Sequence, residues 1–215
     1  MPEPVSYRTV EGRAIAEIVE KKSRFIGHIA HVETEEEALA FLAEIRAAHR
    51  MARHNAYAYA LRGEGGAPGR VRYSDDGEPA RTAGTPTLEA VQHAELVDVA
   101  VVVTRYFGGV LLGTGGLVRA YTQATQAAIE AARVVVVSRC VDVMVEVPYA
   151  LYEQAVRVAE SCSAHVVGTD FAGEVLLTLR ALDGMQAPLT AALTELTGGK
   201  AEIMTGEPFM GQLPE

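Results

Sequence analysis

The feature that most constrains the fold is a strand, glycine loop and helix pattern at the centre of the sequence. Residues 99–103 are an uninterrupted run of valine and alanine, which is typical of a strand buried on both faces. Five glycines follow within 105–116. From Leu117 onward, apolar residues recur every three or four positions, which predicts a helix with one apolar face. The segment therefore predicts a buried strand that leads through a tight loop into a packed helix.

The predicted helix start has the features of an anion site. Thr114 is a favourable N-cap residue, and the first amides of the helix would have no partner inside it. Because Gly115 and Gly116 have no side chains, a phosphate or carboxylate could approach the backbone, with Arg105 and Arg119 on either side. The spacing fits neither a Walker A motif nor a dinucleotide-binding motif. The alternative is that the glycines only allow a tight turn and close helix packing.

A short basic cluster near the N-terminus adds to this candidate site for an anion or a nucleic-acid backbone. Lys22 and Arg24 could contact phosphates, although such clusters also occur at solvated strand ends. The complete candidate set is Arg105, Gly108, Gly109, Gly113, Thr114, Gly115, Gly116, Arg119, Lys22 and Arg24.

Three carboxylates around a glycine, at Asp75, Asp76 and Glu78, form a second candidate site. Carboxylate oxygens are preferred ligands of Mg²⁺, although the spacing does not match an EF-hand loop. The alternative is a turn whose acids bond the local backbone or pair with Arg72 and Arg81. Magnesium bridging to a bound phosphate would require this turn to face the glycine loop. No other cofactor is expected.

The charge is unevenly distributed along the chain. Residues 1–137 contain 15 basic against 17 acidic side chains, whereas 138–215 contain 4 against 11. The second part should repel nucleic acid, so any RNA contact is expected to be local and salt-dependent, and DNA is not expected as a partner. No apolar run approaches the ~20 residues that span a bilayer, and no signal peptide is recognisable. We therefore expect a cytoplasmic protein without membrane contact.

Local patterns predict the remaining elements of the first part. Thr34 and Glu37 form a capping box, and Thr85 before Pro86 is typical of a helix start. The strand at 54–61 has one face of small residues, which predicts close packing against a helix. The predicted elements are a three-stranded meander over 7–19 and 22–32, a helix to about residue 49, the strand at 54–61, a loop at 63–69 and a helix to about residue 94.

The pattern restarts around 134–138, so we predict one domain at 1–137 and another at 138–215. The second domain is predicted to contain a strand at 142–147, a helix at 149–160, strands at 164–171 and 174–181, a helix at 187–196 and a strand at 200–205. This βαββαβ order is the ferredoxin-like plan. The predicted fold class is therefore a two-domain α+β protein.

Five motifs of the first domain occur in a distinctive combination. They are Lys-Ser-Arg-Phe at 22–25, His-Asn-Ala-Tyr-Ala-Tyr at 54–59, Ser-Asp-Asp-Gly-Glu-Pro at 74–79, Thr-Pro at 85–86 and the glycine-loop segment at 105–121. In this combination the chain resembles the IMPACT/YigZ family over nearly all of 1–137. The second domain resembles the small ferredoxin-like domain of the two-domain bacterial members.

The resemblance implies a first domain of the kind shared by domain four of elongation factor G and the GHMP kinases. It also implies a role in translation or its regulation, because the eukaryotic relatives are translational regulators. Those relatives bind the activator of a stress kinase, but their extra N-terminal domain has no counterpart in this sequence. That partner is therefore not expected here.

Three functions stay open on the sequence alone. The favoured one is a non-catalytic protein that contacts RNA, the ribosome or a translation factor through the glycine loop and its flanking arginines. The spacing indicates no Ser/His/Asp or Cys/His nucleophile set, so an enzyme is less favoured. Such an enzyme would act on a phosphorylated small molecule and requires a concave pocket joining the glycine loop to the acidic turn. A protein-interaction adaptor, the third function, predicts an exposed apolar patch.

Overall fold

A computed structural model describes residues 6–63 and 69–214 of the chain. It divides into two compact units, one of 8–135 and one of 136–214 with residues 6 and 7. Helices and strands occur throughout both units, which confirms the predicted two-domain α+β fold. Most of the loop predicted at 63–69 lies outside the described residues, at 64–68. Within the described ranges, no helix is long and apolar enough to cross a membrane.

The first unit is built on one antiparallel sheet. In chain order its elements are β1 (Ser6–Glu11), β2 (Arg13–Glu20), β3 (Ser23–His31), α1 (Glu35–Ala48), β4 (His54–Leu61), β5 (Arg70–Ser74), α2 (Gly84–His93), β6 (Val99–Tyr106) and α3 (Thr114–Ala131). The spatial order of the sheet is β2-β3-β6-β4-β5. The predicted meander is wrong in one respect, because β1 pairs with the strand Arg133–Val147 of the other sheet. Gly12, with a φ of 67°, separates β1 from β2.

Strand β6 is central and buried, as predicted, because helices cover both faces of its sheet. On one face Val101 and Val103 pack in a cluster with α2 and α3. On the other face Val102 packs with α1. The alanines of β4, Ala56 and Ala60, lie on the α2 and α3 side, which confirms that the small-residue face of this strand packs against helices.

One of the three predicted helix caps is confirmed and two are wrong. Thr34 caps α1, with its hydroxyl accepting the Glu37 amide at 3.2 Å. At α3 the N-cap is Gly113, which can adopt a φ of 72°, so Thr114 is the first helical residue instead. Helix α2 begins one residue before Thr85, whose buried hydroxyl has no partner in the described structure.

The second unit contains a second antiparallel sheet. Its elements are β7 (Arg133–Val147), a 3-10 helix (Tyr149–Leu151), α4 (Tyr152–Ser161), β8 (His165–Phe171), β9 (Val175–Leu182), α5 (Gln186–Leu196), β10 (Ile203–Thr205) and β11 (Phe209–Gly211). The order β10-β7-β9-β8 is that of a ferredoxin-like sheet, and α4 and α5 pack in its core cluster. Strand β7 is longer than predicted and runs through 137–138, and the additional strand β11 pairs with it.

Candidate functional site: the glycine-loop surface

The glycine loop leaves β6 and packs against the turn between β2 and β3. Gly108 donates its N–H to the Ser23 hydroxyl at 3.1 Å. A Cβ atom on Gly108 would lie 2.0 Å from the carbonyl carbon of Lys22, so only glycine allows this approach. Arg24 is next to the same loop, because its partner in the ladder between β3 and β6 is Tyr106. The structure thus brings Gly108, Lys22 and Arg24 together, but the Arg24 guanidinium donates to both carboxylate oxygens of Glu17, so its charge is already paired.

The β2–β3 turn holds two lysines in an unfavourable backbone conformation. Glu20 pairs with Ser23, so Lys21 and Lys22 form a two-residue turn with φ of 45° and 68°. Glycine and asparagine normally supply such angles, and another residue there costs about 1 kcal/mol or more. Both lysines are exposed, and neither has an acidic partner in the described part of the chain. Such strain is frequent at functional sites.

The start of α3, directly after the glycine loop, presents backbone amides that are not paired within the helix. Its first backbone hydrogen bond runs from the Leu117 amide to the Gly113 carbonyl at 2.9 Å, so the amides of 114–116 precede the helical ladder. A Cβ atom on Gly115 would lie 3.7 Å from Nη1 of Arg119, which places this guanidinium over the first turn. Arg119 is exposed and has no acidic partner within 6–63 and 69–214. We call the β2–β3 turn, 107–113 and the first turn of α3 with Arg119 the glycine-loop surface.

Arg105 does not belong to the glycine-loop surface, which corrects its predicted role as a flanking cation. Its guanidinium is buried, and Nη1 donates to both carboxylate oxygens of Glu78 at 2.7 and 3.0 Å. The Tyr121 hydroxyl donates to the same carboxylate at 2.8 Å, and burial raises the pKa of this hydroxyl. Arg105 also lies over the rings of Phe25 and Phe107, at 5.4 and 5.7 Å from the ring centres. The charge of Arg105 is therefore compensated inside the unit by Glu78. Its guanidinium packs against Phe107 of the loop and is not available to a ligand.

Asp75 acts as a distant cap of α2. Its carboxylate accepts the backbone amides of Arg81, Ala83 and Gly84 at 2.8, 2.9 and 2.8 Å. Two of these amides are at the start of the helix, where no side chain of the helix itself accepts a hydrogen bond. The cap was missed because Asp75 precedes Gly84 by nine residues, outside the spacing of local capping motifs.

The three carboxylates of the acidic turn do not converge. Asp76 accepts the Asn55 amide at 2.6 Å and the Arg46 guanidinium at 2.5 Å, whereas Glu78 is directed toward Arg105. Among the residues that the structure describes, no group of three or more His, Cys, Asp or Glu side chains is placed to hold a metal. Magnesium binding stays a prediction, and these contacts give it no support. Asp75 bonds the nearby backbone, as the alternative predicted, but Asp76 and Glu78 pair with Arg46 and Arg105 and not with Arg72 or Arg81.

Two open cavities, of about 450 and about 240 Å³, lie between α1 and the strands β2 and β3. Neither is lined by the glycine loop or the acidic turn, so neither is the joint pocket that the enzyme interpretation needs. His28 lines the smaller cavity, and its buried Nε2 has no partner in the described chain. Burial, and secondarily the neighbouring His49, lower the pKa of His28 to about 4. The imidazole is therefore neutral at pH 7.

Apolar side chains are exposed on the glycine loop itself. Leu111 is 82% exposed, Phe107 54% and Val110 40%. These residues were not predicted to be exposed, because the run Val110-Leu111-Leu112 does not show which of its members faces the core, and Leu112 is in fact buried.

Comparison with known proteins shows similarity over most of the chain. Residues 21–129 match the model of the Impact N-terminal domain, and 145–200 match a domain of unknown function (DUF1949). An IMPACT family member of Haemophilus influenzae is 36% identical over 85% of this chain and 88% of its own. For the family member YigZ of Escherichia coli the identity is 33%, over 87% and 91%. For YvyE of Bacillus subtilis it is 48%, over 54% and 52%.

Two solved structures are also similar. A crystal structure described as that of a hypothetical protein covers 94% of this chain and 98% of its own, with 30% identity and a TM-score of 0.60. The structure of the two-domain translational regulator Yih1 covers 57% of this chain and 48% of its own, with 30% identity and a TM-score of 0.41.

Proposed function

Because the chain belongs to the IMPACT family, as its motifs predicted, we propose that it acts in translation or its regulation by binding RNA through the glycine-loop surface. The translational role follows from the family resemblance. The binding mode rests on the surface itself, and the two parts can be tested separately.

The observation that carries the binding mode is a set of unpaired donors on one surface. Lys21, Lys22 and Arg119 have no acidic partner in the described ranges, and the first-turn amides at 114–116 are open. Phosphate oxygens are the acceptors that such donors bind. Because phosphates carry no sequence information, this contact would be indifferent to base sequence and sensitive to salt. With a net charge of −9, the chain could favour RNA only at such a local surface.

The test is fluorescence anisotropy of a short single-stranded RNA titrated with protein at several salt concentrations. Arg119→Gln and Lys22→Gln should each weaken binding and reduce the slope of log Kd against log salt by about 0.7, the value for one phosphate contact on a single strand. Arg157→Gln, on α4, is the matched control, because it removes the same charge from an exposed helix position. Equal effects of all three variants, or no effect of the first two, would refute the assignment.

The translational part is tested by sedimentation of the protein with ribosomes from a cell extract at low salt. We expect wild type and Arg157→Gln to sediment with ribosomes, and Arg119→Gln to stay largely in the supernatant. RNA binding without ribosome sedimentation would separate the surface from the proposed cellular role.

The exposed apolar side chains of the glycine loop favour a second candidate function, the binding of a translation-associated protein. Leu111 and Phe107 would anchor such a contact, because burying an apolar side chain stabilises a complex by about 1.5–3 kcal/mol. If this candidate is right, Leu111→Ser will abolish ribosome sedimentation in high and low salt, whereas Arg119→Gln will leave it nearly unchanged.

A further inference from the structure

We propose that the free edge of β2 pairs with the same edge of a second copy of this chain, in an antiparallel arrangement centred on Ile15. β2 is the terminal strand of the order β2-β3-β6-β4-β5, and in the described structure its ladder partner is β3 alone. The opposite side of β2 is therefore an unpaired sheet edge, which is a template for another strand. This inference is independent of RNA binding.

The register of the β2–β3 hairpin shows which backbone groups face the open edge. Glu20 and Ser23 close a two-residue turn, so they form a hydrogen-bonded pair. Hydrogen-bonded and non-hydrogen-bonded pairs alternate along an antiparallel ladder. It follows that the even-numbered residues of β2 direct their N–H and C=O groups toward β3. The odd-numbered residues Arg13, Ile15, Glu17 and Val19 direct theirs outward.

The same four residues carry the exposed side chains of the strand. Ile15 is 59% exposed and Val19 is 63% exposed, although both are β-branched residues suited to a covered sheet. Ile15 also lines the cavity of about 240 Å³ together with Phe41 and Ile45 of α1. A strand added at this edge would bring an apolar side chain beside Ile15 and extend the cover over this cavity.

The charges on the edge select the occupant and the register. In a pairing centred on Ile15, this residue faces its own copy, Arg13 faces the partner's Glu17, and Glu17 faces the partner's Arg13. Each facing pair can exchange two backbone hydrogen bonds. A pairing centred on Glu17 would instead oppose two like charges, which is destabilising. The edge is thus self-complementary in one register, as an isologous two-fold interface requires.

Existing ion pairs keep both charged side chains near the edge. Arg13 contacts Glu44 of α1 at 2.7 Å, and Arg24 of β3 donates to both oxygens of Glu17 at 2.8 Å. Because each charge already lies beside an opposite one, the second copy would extend two rows of alternating charge across the joined sheets.

The first test is sedimentation velocity over a wide range of protein concentration. Wild type should shift from monomer to dimer as concentration rises, and Glu17→Arg and Arg13→Glu should each lose the dimer. The double variant, which exchanges the two charges, should recover it, because every facing pair is again opposite in sign. Circular dichroism checks that each variant is folded. A wild-type protein that stays monomeric at all concentrations would overturn the proposal. The edge of β2 would then be open to an extended segment of a different protein.

A second measurement locates the two-fold axis and does not depend on charge reversal. Ile15→Cys should cross-link to its own copy under mild oxidation, since a hydrogen-bonded pair separates Cα atoms by about 5.5 Å, within disulfide range. Val19→Cys is the matched control, because the register separates the two copies of residue 19 by about 27 Å along the strands. Equal cross-linking of both variants would overturn the proposed register.

Discussion

The acidic turn at 74–79 and the glycine-loop surface are both parts of the first unit, but their charged groups differ in whether they have partners inside the protein. Each carboxylate of the acidic turn accepts hydrogen bonds from protein donors. On the glycine-loop surface, Lys21, Lys22 and Arg119 face solvent without acidic partners in the described structure. Groups that are satisfied internally hold the fold, whereas those left open are available to a partner. The acidic turn therefore stabilises the fold, and the glycine-loop surface keeps the open donors on which the proposed RNA binding rests.

The strongest test of this comparison is Glu78→Gln. The substitution keeps the shape of the side chain but removes the charge that compensates the buried Arg105, whose Nε already has no partner among the described residues. Breaking one side of a buried ion pair costs about 3–5 kcal/mol. We expect a loss of this size in the free energy of unfolding, measured by urea denaturation.

Glu17→Gln provides the matched control for that experiment. Glu17 also forms a two-point ion pair with an arginine, Arg24, but this pair is on the surface, with side chains 41% and 53% exposed. Solvent and salt screen such pairs, so we expect a much smaller loss. If both substitutions destabilised the protein equally, burial would not be what distinguishes the two arginines.

The second prediction concerns His28, a buried side chain whose neutral form is favoured in the folded protein. The pKa of His28 falls from 6.5 to about 4 on folding, because burial and His49 disfavour the imidazolium. Between these values the unfolded chain binds the proton and the folded chain does not. Stability is therefore full above about pH 6.5 and declines as the pH falls toward about 4, by up to about 3 kcal/mol from this group.

The measurement is the free energy of unfolding across that pH range for wild type and His28→Leu. The variant should lose most of the decline between the upper and lower limits, whatever its stability at neutral pH. His93→Leu, at an exposed position of α2, is expected to keep the wild-type decline. An unchanged pH dependence in His28→Leu would show that folding does not lower the pKa of His28. The imidazole would then be charged in the folded protein below about pH 6.5.

Local sequence patterns predicted most helices and strands of this fold, because each element is determined by residues that are close together in the sequence. The buried run of β6, the apolar face of α3 and the capping box of α1 each depend on spacings of a few residues. The βαββαβ order of the second domain followed from the same periodicities. The pairing of β1 with β7 did not, since periodicity places a strand without naming its neighbour.

The candidate site was predictable in part for the same reason. The spacing of 105–116 located the glycine loop, and folding placed Lys22 beside it. No local pattern could assign Arg105 to Glu78, 27 residues earlier, so an arginine next to a glycine loop was interpreted as part of the surface. The caps at Thr85 and Thr114 failed because a distant carboxylate and a glycine conformation took over those roles.

The smallest expected effect in this series comes from Asp75→Ala. It tests whether Asp75, the first carboxylate of the acidic turn, stabilises the fold and takes no part in binding. The substitution removes the acceptor of the amides at the start of α2, and the loss of a helix cap costs about 1–2 kcal/mol. Asp170→Ala, an exposed position of β8, is the matched control and should stay near wild type. In the same preparation, RNA affinity of folded Asp75→Ala should equal that of wild type at every salt concentration. Normal stability combined with weakened, magnesium-dependent RNA binding would instead assign Asp75 to the interaction surface and remove the distinction between the two loops.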